Sequence, residues 1–144
     1  MKKIITFVIA FLLCACSSTK PISNIKSTSI EDFYGKEYLK VYLDHKGEYP
    51  IKLDYQESYM MYENIDNKDL IQDVFNAMLG IKVGKKTDID ITDAERNYWF
   101  TYKDGTTICF MLIKADKDML IYNPQDKCNY LIDDDNGLFN ISIK

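Results

Sequence analysis

Histidine, arginine and tryptophan each occur once in this 144-residue sequence, and the first two scarcities exclude whole classes of site. His45 is the only histidine, so a zinc site of the usual kind lacks ligands, and neither a Ser-His-Asp nor a Cys-His arrangement can be recognised. Arg96 is the only arginine, which limits two-pronged recognition of a carboxylate or phosphate to one position. We therefore predict no metal site, no cofactor and no identifiable catalytic residue.

The sequence also lacks a membrane-spanning run and a basic cluster. Its longest nearly apolar stretch, residues 4–13, is about half the roughly twenty residues that a helix needs to cross the hydrocarbon core. Acidic residues outnumber basic ones by 22 to 18, and no group of lysines forms a stripe that could follow a phosphate backbone. Nucleic acid is therefore excluded as a partner.

The N-terminus has the three zones of an export signal: Lys2 and Lys3, the apolar residues 4–13, and small residues before a cysteine. Leu13-Cys14-Ala15-Cys16 resembles the lipobox of bacterial lipoprotein signal peptides, with Cys16 as the acceptor. The resemblance implies cleavage before Cys16 and a thioether-linked diacylglycerol on its sulfur, whose two acyl chains give durable membrane attachment. The alternative is an ordinary secretory signal with a chance cysteine.

These features predict three regions. Residues 1–15 form the lipoprotein signal peptide, residues 16–30 carry the lipidated Cys16 and a polar, serine-rich tether, and residues 31–144 form a single globular domain. A flexible tether of this length has a root-mean-square span of about 20 Å. The predicted location is the extracytoplasmic face of the bacterial cell membrane, or the outer membrane in an organism with two, with membrane lipid as the partner of Cys16.

Three segments before residue 81 have regular hydrophobic patterns. Residues 66–80 carry apolar side chains every three or four positions, which predicts an amphipathic helix that Asp66 caps and that Gly80 ends in a left-handed conformation. Residues 39–43 alternate between apolar and other side chains, as do residues 51–55, and residues 44–47 favour a turn. We expect the two alternating segments to form an N-terminal β-hairpin.

The strongest hairpin signal is Asp104-Gly105 between two β-rich runs, residues 98–102 and 107–113. A two-residue loop there sets Tyr102 opposite Thr107. Further strands are predicted at residues 119–122, 128–132 and 138–143, with additional edges at residues 81–83 and 89–91, and the short connections indicate a meander. The predicted fold class is α+β: one amphipathic helix packed on a curved antiparallel β-meander, with an N-terminal β-hairpin.

Both faces of the predicted central hairpin are apolar, and one helix can cover only one of them. We assign the face with Tyr98, Phe100, Tyr102 and Met111 to the outside or to a half-covered cleft, because tyrosine can keep its hydroxyl in water while its ring packs. These four residues are the predicted binding patch for a protein or peptide. The alternative is a core face, closed by the N-terminal hairpin or by Tyr55 and residues 59–62.

Three other features favour structural roles. His45 lies in a predicted turn between charged neighbours, which is typical of a solvated side chain. The acidic run at residues 133–137 places its glycine and its last ligand wrongly for an EF-hand loop, so we predict a turn, with weak surface calcium binding as the alternative. Cys109 and Cys128 fall on the second and fourth strands of the meander, about 9.5 Å apart, which predicts two free thiols.

The lipobox, the tether, the capped helix and residues 98–106, with the pattern Tyr-x-Phe-Thr-Tyr-Lys-Asp-Gly-Thr, resemble the small uncharacterised lipoproteins of low-GC Gram-positive bacteria. The resemblance implies no activity and transfers no catalytic residue. The predicted function is a membrane-anchored extracytoplasmic lipoprotein, a non-catalytic module that binds an envelope protein or a peptide through the four-residue patch or through an exposed sheet edge. Two alternatives stay open: an envelope-associated hydrolase that uses scattered carboxylates, and a purely structural envelope protein.

Overall fold

The computed structural model describes residues 26–58, 61–89, 95–115 and 117–143. These residues form three α-helices and one eight-stranded antiparallel sheet, which confirms the predicted α+β class. The helices are α1 (Ile30–Tyr38), α2 (Lys40–Asp44) and α3 (Lys68–Gly80). The strands are β1 (Thr28–Ser29), β2 (Lys52–Glu57), β3 (Met61–Ile65), β4 (Lys82–Thr87), β5 (Glu95–Thr101), β6 (Thr107–Ala115), β7 (Asp118–Asn123) and β8 (Cys128–Asp134).

The sheet has the strand order β1-β4-β8-β7-β6-β5-β2-β3, and each neighbouring pair is antiparallel. Strands β5 to β8 are neighbours in chain order, which confirms the predicted meander for its first four strands. One edge of the sheet is β3. The other edge is β4, which the two residues of β1 cover in part, and helix α3 joins β3 to β4.

Helix α3 forms where the three- and four-residue spacing predicts it and turns its apolar stripe into the core. Phe75 is 2% exposed, and its ring lies 4.9 Å from that of Phe100 on β5, edge to face. The N-cap is Asn67 rather than Asp66, because the Asn67 side chain accepts a hydrogen bond from the Leu70 amide at 3.1 Å. Five α3 residues are buried: Ile71, Val74, Phe75, Ala77 and Met78.

The end of α3 differs from the prediction. Gly80 is the last helical residue and does not have a positive φ, so the left-handed glycine cap is wrong. Asn136 explains the glycine: its amide nitrogen would lie only 1.9 Å from a Cβ at position 80. That amide donates to the carbonyls of Asn76 and Ala77, at 3.4 and 3.3 Å, and so satisfies carbonyls in the last turn of the helix.

The predicted N-terminal hairpin is wrong in its first half. Residues 40–44 are helix α2, and only the second half of the hairpin falls in a strand, with residues 52–55 in β2, which pairs with β3 and β5. Leu39 and Leu43 are four residues apart, a spacing that fits one helical face as well as one strand face. Tertiary contacts favour the helix, because the Tyr42 ring of α2 lies 6.1 Å from the Phe75 ring of α3, edge to face. Val41 and Leu43, also on α2, pack against the same core.

The β5–β6 hairpin exists, but its register differs from the predicted one by one residue. Thr101, not Tyr102, lies opposite Thr107, because the loop has three residues instead of two. The Gly105 amide donates to the Tyr102 carbonyl at 2.9 Å and the Tyr102 amide to the Thr106 carbonyl at 2.8 Å, while Gly105 has a φ of 87°. This is a turn followed by a left-handed bulge glycine, a common three-residue hairpin loop.

The last predicted strand, residues 138–143, is also wrong, because Leu138–Asn140 is a 3₁₀ helix. The Asp135 carboxylate starts it by accepting from the amides of Gly137 and Phe139. The predicted strands at residues 119–122 and 128–132 are confirmed as β7 and β8, and the expected edge at residues 81–83 falls largely in β4. Ile89 lies in no strand, and residues 90–91 lie outside the described residues.

The two faces of the sheet bury separate apolar clusters. The pair Leu112–Ile121 belongs to the large cluster under the helices, and the adjacent pair Ile113–Leu120 belongs to a second, smaller cluster. Consecutive residues of a strand point to opposite faces, so the second cluster lies on the face away from the helices. Its members are Ile113, Ala115 and Leu120, with Met111, Tyr122 and Leu131 packed against them.

Candidate functional site

The four residues of the predicted binding patch do not share a surface. Tyr98, Phe100 and Tyr102 lie on the helix-covered face and are at most 2% exposed, whereas Met111 lies on the opposite face and is half-buried. The assignment of the tyrosine face to the outside is therefore wrong. The one-residue change in register is the reason, since it places Tyr98 beside Phe110 rather than beside Met111. No finding tests whether any of the four contacts a partner.

The predicted lipidation site, Cys16, lies outside the described residues. Among the residues that the structure describes, no helix is both long and apolar enough to cross a membrane.

The accessible feature with the clearest geometry is the β3 edge. Strand β3 pairs with β2 on one side and, within the described part of the chain, with no strand on the other. An edge strand directs alternate backbone N–H and C=O groups away from the sheet, where another strand can bind them. Tyr62, in the second position of β3, is 61% exposed.

On the face of the sheet away from the helices, polar side chains of β2 and β3 contact each other. Asn64 donates to the Asp54 carboxylate at 2.7 Å, and the Lys52 ammonium lies 2.9 Å from the same carboxylate. A hydrogen bond to Asp54 raises the pKa of the Tyr62 hydroxyl, which therefore stays protonated as a donor near neutral pH. Tyr62 therefore lies on the same face of the sheet as Asn64 and Asp54.

A cleft of about 250 Å³ lies between β3 and the start of α3. Three partly buried apolar side chains, Ile65, Leu70 and Ile143, line it. Glu63 and Asp66 add two carboxylates to the same lining. The cleft can therefore receive an aliphatic side chain or the stem of a lysine or arginine whose cation meets the carboxylates.

Next to this cleft, the only arginine is held in an ion pair. Arg96 donates from Nε and Nη2 to Glu57 Oε1 at 3.0 and 2.6 Å, and its guanidinium lies 5.5 Å from the centre of the Phe139 ring. Tyr55 donates to the other Glu57 oxygen at 3.1 Å, and burial raises the pKa of Tyr55 to about 12. Because Glu57 neutralises Arg96, this cluster fastens β2 to β5 and does not offer a free cation to an anionic ligand.

The opposite edge of the sheet has different chemistry. Thr28 and Ser29 of β1 pair with Val83 and Lys82 of β4, so residues 28–29, which fall in the predicted tether, are part of the sheet. The uncovered part of β4 includes Lys85 and Lys86, both exposed. Lysines on an edge strand discourage the addition of a further strand.

The remaining candidate groups are engaged in local structure. Asp134 and Asp135 accept hydrogen bonds from the turn that they begin, which agrees with the predicted turn. Among the described residues, no group of three or more His, Cys, Asp or Glu could hold a metal ion. Cys109 and Cys128 are free thiols, as predicted, and burial raises the pKa of Cys109 to about 11, so it is a poor nucleophile at neutral pH.

Sequence reasoning missed two sites. His45 is not a solvated side chain: it is 15% exposed, and its ring stacks on Tyr102 at 4.2 Å. The β3 edge was also missed, because Tyr62 entered only as a side chain that might cover a sheet face. Residues 61–65, Met-Tyr-Glu-Asn-Ile, do not alternate between apolar and polar side chains, so no regular pattern marks this strand in the sequence. Searches of protein-family models, curated proteins and solved structures find no match to this chain.

Proposed function

We propose that this protein is a lipid-anchored, extracytoplasmic, non-catalytic module that binds an extended segment of an envelope protein along β3. The observation that carries the proposal is the contrast between the ends of the sheet. The described chain begins two residues before β1, at one edge, and β3 lies open at the other.

The anchor is supported by sequence. Leu13-Cys14-Ala15-Cys16 follows a basic start and a short apolar run, and about ten residues separate Cys16 from the first described residue, Lys26. The tether therefore leads to the β1 edge. Seven strand spacings separate β1 from β3, which is at most about 34 Å across the sheet. In this arrangement β3 is the edge farther from the lipid and the more accessible to another envelope protein.

The β3 edge suits an extended segment because strand addition binds through the backbone and reads alternate side chains. The cleft beside β3 provides a place for one such side chain, and its two carboxylates, Glu63 and Asp66, favour a positive charge there. A second copy of this chain is a poorer occupant. Antiparallel self-pairing centred on Glu63 would bring two identical carboxylates together.

Site-specific photo-crosslinking in the producing cells tests the proposal. A crosslinking side chain replaces Tyr62 at the open edge, and a matched one replaces Lys85 at the lysine-bearing edge. We expect position 62 alone to give a discrete adduct, whose attached peptide mass spectrometry identifies. The identified segment, made as a synthetic peptide, should then slow deuterium exchange of the β3 amides.

Two results would overturn the proposal. One is equal crosslinking from positions 62 and 85. The other is a peptide that binds without protecting the residues of β3, since strand addition must form backbone hydrogen bonds to that strand. Attachment to the membrane is tested separately through Cys16, so failure of strand binding and failure of lipidation can be distinguished.

A further inference from the structure

The only histidine connects two parts of the chain that are far apart in sequence. His45 follows the last residue of α2, and its ring lies flat against Tyr102 with an angle of 18° between the planes. Its Nδ1 lies 2.7 Å from the Val41 carbonyl oxygen on α2. Its Nε2 lies 3.2 Å from the Asp104 carboxylate in the β5–β6 loop. One side chain therefore links α2 to the central hairpin.

Both partners of the ring are acceptors, and this decides its protonation state. A neutral imidazole carries one N–H, so it could donate to Val41 or to Asp104, and its other nitrogen would then direct a lone pair at an acceptor oxygen. The imidazolium donates to both. Both ring nitrogens of His45 can therefore donate a hydrogen bond only when the ring is positively charged.

The surroundings of the ring supply further negative charge. Asp104 faces the ring from the hairpin loop and Glu48 from the turn after α2. Lys40 and Asp44, on α2 itself, pair with each other. Tyr102, which forms the ring's stacking surface, is buried and neutral. A positive ring also lies favourably at the C-terminal end of a helix.

Two hydrogen bonds from Thr106 hold the Asp104 carboxylate in position beside His45. Its Oδ1 accepts from the Thr106 amide at 2.9 Å and from the Thr106 hydroxyl at 2.7 Å. These bonds lower the pKa of Asp104, so the carboxylate stays ionised through mildly acidic pH, and its Oδ2 remains directed at His45.

We propose that His45 is an acid-closed latch that fastens α2 and the following turn, residues 40–47, to the β5–β6 hairpin when the imidazole is doubly protonated and loosens them when it loses a proton. The consequence is a segment whose local opening follows the pH outside the cell. This inference is independent of strand addition at β3.

The sign of the pH dependence follows from the contacts. Hydrogen bonding to the Val41 carbonyl, and then the Asp104 carboxylate, raises the folded-state pKa of His45 above the ordinary value of about 6.5. The stabilising contribution of the latch is therefore complete below about pH 6.5 and is lost as the pH rises through the folded-state value.

Nuclear magnetic resonance on the full-length protein in detergent micelles tests the latch, because the single histidine gives an unambiguous ring signal. We expect a His45 pKa above that of the urea-unfolded chain. Between pH 6 and pH 9, the amide protection factors of residues 42–46 should fall by a ratio that approaches ten raised to the difference between the two measured pKa values.

Variants separate the latch from a general effect of pH. His45→Gln should remove the pH dependence of protection in α2, and Asp104→Asn should reduce it. Thr107→Val is the matched control, since it removes a hydroxyl of the same hairpin that contacts Thr101 and neither Asp104 nor His45, and it should leave the pH dependence unchanged. A His45 pKa at or below the unfolded value would overturn the proposal. So would α2 protection that does not change with pH in the wild type, a measurement that requires no variant to fold.

Discussion

At one edge of the sheet, β4 carries exposed lysines and is partly paired with β1; at the other, β3 exposes a tyrosine and has an acidic, partly apolar cleft beside it. An uncovered edge strand can pair with a strand of another chain and cause aggregation, and exposed lysines on the edge are one of the usual features that prevent such pairing. The β4 edge has that protection. The β3 edge, which has no lysine, is therefore the one on which a second strand is least opposed.

The largest expected effect concerns the lipid anchor that we propose at Cys16, on the β1 side of the sheet. Cys16→Ala should abolish incorporation of radioactive palmitate and release the protein from the membrane fraction, because no acyl chain can then be attached. Cys14→Ala is the control and should leave labelling and fractionation unchanged. A Cys16→Ala protein that still sediments with membranes would remove the reason for assigning the β1 edge to the lipid side.

The next largest effect is expected in the apolar core between α3 and the sheet. Phe75 contacts Phe100, Tyr42 and Tyr49, and the helix that carries it joins β3 to β4. Phe75→Ala should lower the free energy of unfolding by about 3–5 kcal/mol, measured by urea denaturation. Phe75→Leu, which leaves a smaller cavity, should cost less. A loss below 1 kcal/mol would show that α3 contributes little to the packing that holds the edges in place.

A change on the open edge itself should affect binding and not folding. Tyr62→Lys gives β3 the protection that β4 already has, and we expect the affinity for the crosslinked partner segment to fall about tenfold or more. Its free energy of unfolding should stay within about 0.5 kcal/mol of the wild type. Lys85→Gln, on the other edge, is the control and should leave the affinity unchanged, as measured by titration calorimetry.

The smallest effect is expected where α3 begins, next to β3. Asn67→Ala removes the side chain that caps the Leu70 amide and should lower the free energy of unfolding by about 1 kcal/mol. Asn67→Asp keeps an acceptor at the same place and should restore most of that loss. Equal stability of the alanine and wild-type proteins in urea would contradict the assignment of Asn67 as the cap.

The sequence analysis succeeded where one local signal was decisive. Helix α3 was predicted because six apolar residues recur at helical spacing, and the meander because turn residues separate short β-rich runs. The register of β5 and β6 was wrong by one residue, because Asp104-Gly105 fits both a two-residue loop and a three-residue loop with Gly105 left-handed. That single residue moved Met111 to the face opposite Tyr98, Phe100 and Tyr102, and so divided the predicted binding patch.

The elements that were missed depend on contacts between distant residues. Residues 39–43 have an alternation that fits a strand, yet residues 40–43 lie in α2, whose Tyr42 packs on Phe75 of α3, 33 positions away. His45 becomes a latch only because Tyr102 and Asp104, almost sixty residues later, meet its ring. No local pattern contains that information.

An early and a late segment of the described chain meet at one corner of the sheet, and the contacts there depend on the late one. Ser27 donates to Asp133 at 2.8 Å across 106 positions, Ser29 pairs with Lys82, and Asn136 closes the end of α3. The Ser27 and Asn136 contacts require residues 133–136, which follow α3 by more than fifty positions. Neither contact can form from the N-terminal half alone, so this corner is completed only when the meander has brought β8 beside β4.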